Sequence, residues 1–172
     1  LGAGAAWHAS AETATGWCVR EYEASNAALA RHEKQSGTNS HALYPHLVRL
    51  GDACLLLDKS GQAREVYERA LQLARHELKR VSGTPTQALE RVAVLQVRLA
   101  ELEMARERIL PAREHYERAV RVARLGLSFE HPASQAALNG RAVCVAATTP
   151  GRERQHAAFE QVLDAAQNSF GP

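Results

Sequence analysis

The chain has 172 residues, 45% of them hydrophobic but only 5% aromatic, and a net charge of +2. That length suits one domain with a buried core. The near balance of charge excludes the strong field that draws proteins to nucleic acid or membrane surfaces, and no stretch approaches the ~18 apolar residues of a membrane span.

Ala, Leu and Val carry the apolar load, and Arg and Glu most of the charge. Most of these are strong helix formers, and no run alternates as a half-buried strand would. An all-α chain follows. Taken in order, helices are expected at about 9–35, 42–58, 62–81, 86–107, 111–127, 132–147 and 151–169. They form a single domain over 1–172, with irregular tails at 1–8 and 171–172. The breaks are marked by Ser36-Gly37-Thr38-Asn39-Ser40, Ser82-Gly83-Thr84 and Thr148–Gly151. Pro45, Pro85, Pro111, Pro132 and Pro150 each precede or open a periodic segment, where a missing N–H costs nothing. Thr84 and Thr149, each before a proline, are expected to cap the helices that follow.

The third and fifth segments say the same thing twice. Gln62–Leu78 reads QAREVYERALQLARHEL and Pro111–Leu127 reads PAREHYERAVRVARLGL, 49 residues later. Ala63, Tyr67, Ala70 and Ala74 recur at Ala112, Tyr116, Ala119 and Ala123. Both segments carry an apolar stripe at helical period with Arg and Glu opposite. Glu65–Arg69 and Glu114–Arg118 stand at i, i+4 in the favourable order. Fainter echoes place Phe159, Val162 and Leu163 after the second copy, and Ser25, Ala28 and Leu29 before the first. One supersecondary unit repeated along a chain stacks on its neighbours, because no copy can bury its apolar face alone.

Leu47, Leu50, Gly51, Cys54, Ala63, Tyr67, Ala70 and Leu71 fall at a spacing that resembles the tetratricopeptide repeat. In the second copy Leu99, Ala100, Ala112, Tyr116, Ala119 and Val120 fit, while Gln96 and Glu103 occupy sites where apolar residues are expected. His131-Pro132 followed by Leu138, Asn139 and Ala142 looks like the long-repeat variety of kinesin light chains. The resemblance covers about 20–170, and a generic antiparallel helical array with the same spacing is the alternative. It implies a right-handed superhelical array of antiparallel helix pairs, with a groove lined by the first helix of each pair. Carried over by position, that lining is Val48, Arg49, Asp52, Leu55, Val97, Arg98, Glu101, Met104, Asn139 and Val143. The family's chaperone-tail binders hold a carboxylate with Lys and Asn. Here Arg49, Arg98 and Asn139 are opposed by Asp52 and Glu101, which disfavours that ligand.

Catalytic, metal and cofactor motifs are not found. There is no HExxH, GxSxG, P-loop or GxGxxG, and His41 and His46 stand five apart, poor spacing for two ligands on one face. Trp7 and Trp17 suit packing of a terminal helix more than stacking on a ligand. Cys18, Cys54 and Cys144 are isolated, and an odd count without CxxC makes neither a disulfide framework nor a zinc site. A reducing intracellular compartment is expected, cytoplasmic or mitochondrial. Leu1 as the first residue suits a processed chain or the start of a fragment, and the former leans to an organelle. The expected function is a non-enzymatic scaffold that binds protein or peptide through the groove, with no cofactor and no nucleic acid. The alternative is a stoichiometric structural subunit of a large assembly, held by its convex face and termini.

Overall fold

A computed structural model describes the backbone of residues 3–80, 85–168 and 170, and the side chains of 15–80, 85–165, 168 and 170. Among the described residues there are seven α-helices and no strand: α1 Ala3–Ser36, α2 Tyr44–Leu56, α3 Ser60–Arg80, α4 Thr86–Ala105, α5 Ile109–Ala123, α6 Pro132–Thr148 and α7 Arg152–Gln167. A 3-10 turn, His41–Leu43, leads into α2. Helix α1 takes in residues 3–8, expected to be an irregular tail; Ala3, Ala5 and Ala6 carry high helix propensity. The expected tail residues 1–2 and 171–172, and Thr84 with its expected cap, lie outside the described residues.

The chain divides into two compact units, 1–73 and 74–172, with α3 contributing to both. In the first, α1 packs on α2. Leu29 from α1, Leu43, and Leu47, Leu50 and Cys54 from α2 are buried beside Ala63, Tyr67 and Ala70 of α3. Gly51 has ordinary helical φ and is needed for space: a Cβ there would press into the Tyr67 ring, closer than the 3.0 Å that Cβ atoms keep. The Tyr67 hydroxyl donates to Asp52 Oδ1 at 2.5 Å, satisfying the polar end of a fully buried ring. Arg69 does not use Glu65; it reaches Glu33 on α1 and donates to the Thr38 carbonyl at 2.8 Å, tying α3 to the end of α1.

In the second unit α4 packs on both α5 and α6, and α6 on α5 and α7. Val97, Ala100, Ala112, Tyr116, Ala119, Leu138 and Cys144 share one buried cluster. Tyr116 repeats the burial of Tyr67, at 6% exposure against 0%. Its glycine is on the following helix: a Cβ on Gly140 would meet the Tyr116 ring as Gly51's would meet Tyr67. The second-helix echoes are also packed: Ser25 and Leu29 are buried, and Phe159, Val162 and Leu163 are half-buried.

The turns repeat as well as the helices. After α2, the Leu57, Asp58 and Lys59 N–H groups bond back to Cys54, Leu55 and Cys54 carbonyls. After α4, those of Arg106, Glu107 and Arg108 bond to Glu103, Met104 and Glu103. Asp58 and Glu107, 49 residues apart, both take a left-handed conformation, φ 55° and 58°. These αL turns end the helices at Leu56 and Ala105, short of the expected 58 and 107, and satisfy the last carbonyls. Thr149 was expected to cap α7. Its hydroxyl instead donates back to the Val145 carbonyl at 2.8 Å and serves the end of α6.

Candidate functional site

Helix α4 carries Val94, Val97, Arg98 and Glu101 at i, i+3, i+4 and i+7, one continuous stripe. Opposite it, the first turns of α6 present Pro132, Ala133 and Ala136. Side chains that end at Cβ cannot fill the space between two helices, so a depression of about 220 Å³ remains between α4 and α6. Pro132 opens α6, and the His131 ring accepts the Ala133 N–H at 3.2 Å, so this wall is anchored by its own cap. Three of the expected groove residues, Val97, Arg98 and Glu101, line this one depression.

Arg98 and Glu101 face each other at 3.4 Å, with side chains 41% and 49% exposed. A pair so wet contributes at most ~1 kcal/mol and exchanges partners readily. The floor is apolar and the rim holds one charge of each sign, a surface able to grip an extended segment by its backbone and one side chain. Beneath it Tyr116 stays un-ionised, its hydroxyl pushed up to about 12 by burial and then by the nearby carboxylate of Glu101.

The other expected residues are distributed differently. Met104 is half-buried and belongs to the core cluster, its sulfur 3.5 Å from Cys144 Sγ. Asn139 and Val143 are exposed on α6, but they do not line the depression. In the first unit Val48 is half-buried, and Leu55 is exposed. Asp52 is engaged by Tyr67. Arg49 is bound to Glu21 of α1 at 2.6 Å, and its guanidinium holds the Glu21 carboxyl below the usual range. Arg49 and Asp52 thus already have partners inside the fold. Val94, Pro132, Ala133 and Ala136 were missed as lining; Val94 lies one turn before Arg98 on the same stripe, which is the signal that could have found it.

Burial pushes the Cys54 and Cys144 thiols up, so both stay protonated and act as small apolar side chains. Trp17 is exposed rather than packed, at 52%. Among the described residues no three His, Cys, Asp or Glu side chains gather as a metal cage, and no helix is long and apolar enough to cross a membrane. Neither protein-family models nor curated proteins give a match to this chain.

Proposed function

We propose that this chain is a non-catalytic scaffold for protein–protein interaction, a tetratricopeptide-like helical array that receives a protein or peptide segment on the face between α4 and α6. The observation that carries the reading is the convergence of Val97, Arg98 and Glu101 on one depression beside the alanines of α6. Those three positions follow from the repeat register alone, and they meet at a concave surface. The recurrence of helix, tyrosine and αL turn at 49 residues supports the array. Three cysteines without a disulfide suit a reducing compartment.

The test uses the partner that co-purifies with the tagged chain and is identified by mass spectrometry. Arg98→Glu reverses one charge at a half-exposed position and leaves helicity intact. It should weaken that complex by ~1 kcal/mol or more if Arg98 is a central contact. Undiminished binding, with circular dichroism unchanged, overturns the α4–α6 reading.

A second reading, a structural subunit held elsewhere on its surface, is favoured by a separate observation. Trp17, Leu56 and Leu110 are 52%, 52% and 64% exposed, and none of them lines the α4–α6 depression. A neighbouring subunit covers exposed apolar side chains where they gather into one patch. Loss of partner binding in Leu110→Ser but not in Arg98→Glu would select this reading.

A further inference from the structure

A second depression, of about 250 Å³, lies on another side of α4, with α3 and α5 as its walls. Its residues are of two kinds. Leu78 of α3, Val92 of α4, Val122 of α5 and Leu125 in the turn after α5 make it apolar, and Leu125 stands 62% exposed at its edge. Arg75, Arg118 and Arg121 ring it with positive charge. Arg118 is paired with Glu114 at 3.1 Å, but among the described residues Arg75 and Arg121 have no ion-pair partner.

Gln96 lines this depression and is 1% exposed. Its Oε1 lies 2.9 Å from His115 Nδ1, and its Nε2 has no hydrogen-bond partner. A buried amide nitrogen without a partner is costly. The fold does not require it, because the equivalent position 49 residues earlier is Leu47, fully buried. An apolar residue would serve the helix packing at least as well as glutamine does.

From the orphaned amide, the unpaired cations and the apolar lining together, we infer that this depression binds an acidic peptide segment in which a carboxylate lies next to an apolar side chain. The Gln96 Nε2 donates to the carboxylate, Arg75 and Arg121 supply charge-assisted donors at its edge, and the neighbouring apolar side chain covers Leu78, Val122 and Leu125. A similar depression between α5, α6 and α7 carries Arg113, which is paired, and Arg141, which has one backbone acceptor while its buried Nε has none. Arg113 donates to Glu117 at 2.9 Å and Arg141 to the Val162 carbonyl at 3.4 Å.

The test is direct binding of a fluorescein-labelled peptide of alternating leucine and glutamate to the full chain, by polarisation. Its leucine–glutamine isostere and a single-stranded RNA of equal charge are the comparison probes. The leucine–glutamate peptide should bind at least tenfold tighter than either. Gln96→Leu should keep the helical spectrum, as Leu47 indicates, and weaken the peptide at least tenfold. Arg75→Gln with Arg121→Gln, both at exposed positions that cannot unfold the chain, should do the same. Equal binding of the isostere, tighter binding of the RNA, no binding of the acidic peptide, or full affinity in the Arg75→Gln, Arg121→Gln variant each overturns the inference.

Discussion

Tyr67 and Tyr116 each lie against a glycine that has no conformational need to be one. Gly51 and Gly140 sit inside α2 and α6 with helical φ, and what they provide is room for a ring. Replacing glycine by alanine inside a helix normally stabilises by ~1 kcal/mol through propensity. Here the added methyl meets ring atoms that the close-packed core holds in place, and overpacking costs ~1–3 kcal/mol. The second effect wins. Gly51→Ala and Gly140→Ala should each lower the melting temperature, whereas Gly61→Ala, with nothing within 4 Å of the added carbon, should not. Combining Gly51→Ala with Tyr67→Leu should cost less than the two changes summed, since the clash is shared. A stabilised Gly51→Ala chain would contradict the packing.

His46 carries a second residue-scale expectation. Its ring stacks on His32 with centroids 3.9 Å apart. Burial first, then the charges of His32 and Arg49, push its imidazole below the usual 6.5. The folded state therefore resists a proton that the unfolded chain accepts. Stability from this group is complete above pH 6.5 and is lost as pH falls from there through the folded value. Urea midpoints measured between pH 7.5 and 5 should fall with acidification, and less steeply in His46→Gln. Identical slopes for the two chains would remove His46 as a cause.

Among elements, the helices were legible in the sequence and their ends were not. Periodicity and proline placement located all seven helices seen among the described residues. The αL turns went unread because their left-handed positions hold Asp58 and Glu107, where glycine or asparagine would have announced them. The polar intruders Gln96 and Glu103 were recognised as misfits, and both are buried, at 1% and 0%. Glu103 pairs with Arg108 at 3.1 Å, across the turn it helps to close. Gly140 as the mate of Tyr116 was hidden because it lies on the helix after the tyrosine, whereas Gly51 lies on the helix before. A left-handed conformation costs a non-glycine residue ~1–2 kcal/mol. Glu107→Gly should relieve much of that cost, and thermal denaturation should show a gain of ~0.5–1 kcal/mol. A loss would mean that the Glu107 side chain holds the turn by contacts that outweigh its strain.

At the scale of the whole molecule, each unit is held by small residues at helix crossings and by a tyrosine filling the gap beside them, a pattern copied along the chain. Such packing leaves shallow depressions wherever alanine faces alanine or a polar residue interrupts the core. The depression between α4 and α6 was foreseeable in part: Val97, Arg98 and Glu101 followed from register, but the alanines of α6 that make it concave did not. Met104 satisfied the same register yet turned inward to Cys144, because a flexible thioether fills a core gap more readily than it faces water.

The proposed scaffold role requires a partner on the α4–α6 face. The most direct measurement is site-specific photo-crosslinking of the tagged chain in its native cells, with a benzoylphenylalanine at position 98 and, as a control, at exposed Glu160 on α7, which lines neither depression. A partner seated between α4 and α6 gives one protein captured in stoichiometric yield from position 98, and its absence from position 160. Capture of a protein from 160 with none from 98 would contradict that placement.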